Sequence, residues 1–153
     1  MGKKKEKTEE LEEIKEKAKK PSAFKGIMSM FFAAISYVVA PYYIVNYINN
    51  NYPSIGLPTG MTENITGTGV FLIISAFLMG YTVPDTRFHG LAGLIQVTLT
   101  GYYMLKVLGN SIISASMGGM TLIIDFSKFT YILIASILLN GIYYLGELLG
   151  DKD

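Results

Sequence analysis

Four apolar runs, at roughly residues 24–47, 69–83, 90–108 and 129–149, alternate with short polar connections along this chain. Between the first twenty residues and the last three, the only charged side chains are Lys25, Glu63, Asp85, Arg87, Lys106, Asp125, Lys128 and Glu147. Most stand at the edges of the runs, where water would begin. A helix of about 20 apolar residues crosses the ~30 Å hydrocarbon layer of a bilayer. The pattern therefore predicts an all-α, polytopic integral membrane protein. Its four transmembrane helices, at about 24–48, 68–83, 90–108 and 128–149, form an up-down bundle after a short charged N-terminal cytoplasmic helix. The corresponding divisions are a polar segment at 1–22, a membrane domain at 23–150 and a tail at 151–153.

The residue detail sharpens each element. Residues 8–20 place Glu early and Lys late, the polarity a helix dipole favours, with Thr8 as N-cap. Pro21 and Ser22 end that helix. The apolar stretch that follows is too long for a signal-peptide core, so it reads as a retained span. Within it Pro41 removes a backbone donor and crowds the carbonyl four residues back, which predicts a kink near Tyr37. Tyr42, Tyr43 and Tyr47 then lead into Asn49-Asn50-Asn51, the order of an interfacial aromatic belt giving way to water. Residues 52–68 have loop composition, with Pro53, Gly56, Pro58, Gly60 and Gly67. They contain the sequon Asn64-Ile65-Thr66, which makes Asn64 a candidate glycosylation site in a loop. Lys106, seventeen residues after His89, is expected to snorkel to the far interface beside Tyr102 and Tyr103. Residues 111–126 are too short to span and return. They are expected as an interfacial helix or a loop packed on the outer face, with a re-entrant segment as the alternative.

Lysine and arginine crowd the first 25 residues and recur at Arg87, whereas the 52–68 loop has none. The positive-inside rule puts both termini in the cytoplasm of a cell membrane, with the protein multi-pass. Helices in lipid associate through small residues and interhelical hydrogen bonds. Gly69, Ile73, Ala76 and Gly80 share a face of the second span, and Gly90, Gly93, Val97, Thr100 and Gly101 share one of the third. Joined by a short link, these smooth faces predict the tightest helix pair. Ser136, Asn140, Tyr144 and Glu147 form a polar stripe on the fourth span, for which Gln96 is the natural partner.

Composition and charge mainly narrow the chemistry. The net charge of +1 averages a highly charged start against an almost uncharged body. The chain has no cysteine and a single histidine, which removes disulfides, thiolate sites and an all-protein zinc cage. A Gly-x-Ser-x-Gly elbow, a phosphate-binding glycine loop, an HExxH helix and the paired aspartates of intramembrane proteases are all missing. The basic cluster is interleaved with glutamates, so nucleic acid is not an expected partner. No catalytic residue, cofactor or metal is predicted. Two clusters remain as candidate sites. Gln96, Asn140, Tyr144 and Glu147 would hold the bundle together or line a pathway. Asp85, Arg87 and His89 form the reactive link between the second and third spans, where the plainer expectation is that Asp85 caps the next helix and His89 faces headgroups. The expected role is a non-enzymatic structural or accessory subunit of a membrane complex. Its partners are the lipid bilayer and other membrane subunits or further copies of itself. The alternative is an oligomeric channel or transport component for an ion or small solute.

Overall fold

A computed structural model describes residues 20–109 and 112–150. The charged helix expected at 8–20 and the 151–153 tail lie outside the described residues. Four helices long and apolar enough to cross a membrane make up most of the rest. The first span, Ala23–Asn51, comprises α1 (Ala23–Ala34), a π-helical turn (Ile35–Val39) and α2 (Ala40–Asn51). The second is α3 (Met61–Tyr81), the third α4 (Arg87–Leu108) and the fourth α5 (Ser127–Leu149). A multi-pass membrane protein results.

The distortion expected from Pro41 is present as the π turn immediately before it. The Ala40 N–H reaches back to the Ile35 carbonyl, a five-residue step. Proline has no N–H for the Tyr37 carbonyl, the acceptor four residues back. That carbonyl instead accepts from the Tyr103 hydroxyl of α4 at 2.7 Å, and the two rings meet edge to face with centroids 5.6 Å apart.

The second span begins at Met61, well before the position expected from hydropathy. Gly60, at φ 77°, supplies the left-handed turn into it. Thr66 and Thr68 fold their hydroxyls back onto the Thr62 and Asn64 carbonyls, and Ile65 is wholly buried. A helix continues past its apolar stretch when polar side chains can solvate the turn, so hydropathy marks the lipid boundary rather than the helix end.

The all-α expectation fails at one end of the molecule. Residues expected as an interfacial helix or loop form a β-hairpin, β2 (Ile112–Met117) and β3 (Met120–Asp125). With β1 (Ile55–Gly56) they make an antiparallel sheet of order β1-β2-β3. The turn is Gly118-Gly119, with φ of 55° and 85°, the positive values a two-residue type I′ hairpin requires at both central positions. The Asp125 carboxylate accepts from the Ser127 hydroxyl and, at 2.9 Å, from its N–H. These hydrogen bonds hold it below the usual carboxylate range and fix the entry into α5.

The spans pack in chain order, first on second, second on third, third on fourth. Their small-residue faces, however, do not meet each other. Gly69 lies under Val38 and the Tyr37 carbonyl, and Gly80 under Ser29 and the Lys25 carbonyl, so the smooth face of α3 receives the first span. Gly90 and Gly93 lie under Tyr144 and Leu148, so the smooth face of α4 receives α5. The expectation that α3 and α4 form the tightest pair is thereby corrected: a short link enforces adjacency but leaves each helix free to rotate its glycines outward. Between α3 and α4 the contact is made by larger side chains. Val45, Ile65, Leu72, Tyr103 and Val107 form a core toward the sheet end.

Candidate functional site

The end of the molecule opposite the sheet gathers Ser22, Tyr81, the 82–86 link and the last turns of α5. The Ser22 N–H donates to the Tyr81 carbonyl at 3.3 Å, tying the start of the first span to the end of the second. Thr86, not Asp85, caps α4, its hydroxyl accepting from the His89 N–H at 3.2 Å. Asp85 has another task. It sits at φ 61°, a left-handed conformation that aspartate tolerates better than most residues, and its N–H donates to Glu147 Oε1 at 3.2 Å.

Glu147 binds a second group. Its Oε2 lies 2.7 Å from His89 Nδ1, and the two side chains are only 5% and 11% exposed. His89 is therefore buried against α5 rather than turned to headgroups. Its ring also meets Tyr144 edge to face, centroids 5.8 Å apart. The close approach exists because Gly90 and Gly93 leave room for the Tyr144 backbone and ring. Two clusters that the sequence kept apart are thus partly one: Asp85, His89, Tyr144 and Glu147 converge, while Arg87 is exposed at the first position of α4. The clue was available in outline. His89 opens the third span and Glu147 closes the fourth, so antiparallel packing brings the single histidine and the one carboxylate within the last span to the same end.

Gln96 and Asn140 line a cleft about halfway along the spans. Among the described residues, the first and fourth spans form no extended contact. Between them, over α3 and α4, lie two adjoining cavities of about 330 and 460 Å³ that share Tyr37, Met79 and Gln96 as lining. Asn140, Thr100 and Tyr144 complete the larger one. Gln96 and Asn140 face the same space, yet the buried Gln96 Oε1 has no hydrogen-bond partner among the described residues. Ser136 leaves the group, donating to its own helix at the Ile132 carbonyl. Every residue lining the larger cavity is uncharged. Tyr144 belongs to both the cleft wall and the His89 cluster.

Asn64 lies inside α3, not in a loop. Its Nδ2, the atom that glycosylation would modify, donates to the Lys106 carbonyl at 3.1 Å. Lys106 is exposed, with Nζ 5.6 Å from the Tyr102 ring centroid, as a cation anchored among interfacial aromatics should be. Among the described residues no group of three or more acidic, histidine or cysteine side chains could hold a metal ion.

No family model, curated protein or solved structure matches this chain.

Proposed function

We propose that this multi-pass membrane protein serves as a structural or accessory subunit of a membrane complex, its cleft receiving a helix from a partner or from another copy. The observation carrying this reading is the Gln96 Oε1 atom, buried without a partner beside Asn140 in a cleft that opens between two apolar helices. A hydrogen-bonding group buried unpaired in apolar surroundings costs several kcal/mol by order of magnitude. A helix packed in the cleft and carrying a polar side chain lets the Gln96 amide turn toward it and removes that penalty, and interhelical hydrogen bonds of about 0.6 kcal/mol fix orientation once packing has supplied the affinity. In this reading the protein lies in the cell membrane with both termini in the cytoplasm, as its lysine and arginine distribution favours.

A photoreactive residue at Ile137, on the cleft wall, should give a discrete protein adduct in native membranes. The same residue at Phe71, which is 59% exposed, should give lipid adducts alone. Gln96→Leu should weaken the Ile137 adduct. Lipid adducts alone at Ile137, from a chain that purifies as a monomer, would contradict the proposal.

A second reading, a transport component, draws on one specific feature: Tyr144 links the uncharged cleft to the buried His89–Glu147 pair. Ionisable groups within a membrane domain mark ion and proton routes more often than chance. Reconstituted protein should then show a flux that Glu147→Gln abolishes, and absence of flux under any imposed gradient removes this reading.

A further inference from the structure

We propose that the β2–β3 hairpin is a membrane-surface anchor, seated in the headgroup–acyl boundary next to the start of the fourth span. Its composition sets it apart from an ordinary solvated hairpin. Alternate residues of a strand point to opposite faces, so Leu122 and Ile124 share one face of β3 and Ile123 takes the other. All three are exposed, by 60%, 41% and 65%, and Met120 at the turn by 80%. Neither face of β3 is packed on a core. A sheet in water keeps at least one polar face and guards its edge with charge. β3 is an edge strand, and its only charged residue is Asp125, at the base of the hairpin.

Three considerations select lipid as the occupant. Beyond the charged residues Asp125 and Lys128 the chain presents further exposed apolar side chains, Phe129, Tyr131 and Ile132, which are 55%, 59% and 65% exposed on the membrane-spanning fourth helix. A second copy pairing along β3 is too small a contact. A six-residue strand edge buries on the order of a few hundred Å², well short of the roughly 1,200 Å² of a stable interface. The unpaired N–H and C=O groups of that edge exclude the hydrocarbon centre, where each would go unsatisfied. The boundary, some 5–10 Å deep in an amphipathic binder, offers hydrocarbon for the side chains and water or headgroups for the backbone. The hairpin's one charged residue, Asp125, lies at its base and is held by Ser127, so the attachment through Met120, Leu122 and Ile123 is apolar and independent of lipid charge.

The chain has no tryptophan, so one introduced residue reports its own surroundings. Leu122→Trp, Ile123→Trp and Leu138→Trp, the last as a deep marker on α5, are made in the full chain and reconstituted in phosphatidylcholine liposomes. The lipids carry bromine either near the headgroup or near the chain end. Leu122→Trp should lose most of its emission to the shallow bromines and little to the deep ones, whereas Leu138→Trp shows the reverse. Neither added salt nor anionic lipid should change the hairpin result. If Leu122→Trp fails to fold, Met120→Trp at the turn substitutes for it. Emission unaffected by either bromine position overturns the proposal. So does stronger loss to the deep lipid, or emission that follows the protein-to-lipid ratio, the sign of strand pairing between copies.

Discussion

The Glu147 carboxylate accepts from two groups that belong to a different part of the chain, the His89 ring and the Asp85 backbone. Removing it takes the acceptor from the buried His89 ring, and an unpaired buried polar group costs about 1–3 kcal/mol; the Asp85 N–H, at an exposed position, adds less. Glu147→Ala should therefore lower stability by about that amount, read from SDS-induced unfolding in mixed micelles. Glu147→Gln retains an oxygen that can accept from either group and should cost less than half as much. Equal losses for the two variants would show that a neutral acceptor supports neither contact. The Tyr103 hydroxyl meets a comparable need. Pro41 leaves the Tyr37 carbonyl without its helical donor, and Tyr103 supplies one. Tyr103→Phe should cost about 1 kcal/mol. The same substitution should cost less in a Pro41→Ala background, where a backbone N–H returns; the double-mutant cycle measures the difference. At this scale the sequence showed that His89, Glu147 and Pro41 stood out. It could not show the contacts they lead to, His89 with Glu147 across 58 residues and Tyr37 with Tyr103 across 66, because pairing depends on how each helix is rotated.

Rotation is decided at the scale of elements, by where glycines permit contact. A Cβ on Gly90 would stand 2.7 Å from the Tyr144 carbonyl oxygen and 2.8 Å from the Leu148 nitrogen. Both are backbone atoms and cannot swing away. Gly90→Ala should force α4 and α5 apart and cost about 1–3 kcal/mol, the usual range for overpacking, and it should loosen the His89–Glu147 pair. Gly67, where a methyl group would meet nothing within 4 Å, is the control. Gly67→Ala should be neutral or stabilising, because alanine is the better helix former by as much as about 1 kcal/mol. Melting curves of the two variants in the same detergent make the comparison. The four long elements were legible because lipid demands about 20 apolar residues per crossing. The hairpin was not, although Gly118-Gly119 marked its centre, because mixed Ile, Ser, Ala and Met fit several structures until β1 pairs with β2. The early start of α3 was hidden for the opposite reason, its first turns being polar.

At the scale of the whole molecule, four crossings return the chain to the side on which it began. Ser22, the 82–86 link and Gly150 occupy one end, held together by the Ser22–Tyr81 and Asp85–Glu147 hydrogen bonds. The 52–60 segment and the hairpin occupy the other, joined where β1 pairs with β2 and where Ser116 N–H donates to the Ser54 carbonyl. This separation of ends follows from an even number of antiparallel helices, and hydropathy alone was enough to anticipate it. Sidedness is a further question, on which charge makes a prediction: the end with Arg87 should face the cytoplasm. The absence of cysteine makes the chain suited to a labelling experiment with no background thiol. Thr59→Cys, exposed beside β1, and Phe88→Cys, 77% exposed at the start of α4, are placed at opposite ends. In intact cells a membrane-impermeant maleimide should modify Thr59→Cys, and Phe88→Cys only after permeabilisation. The reverse result would invert the orientation while leaving the fold intact, and modification of both from one side would remove the four-crossing architecture itself.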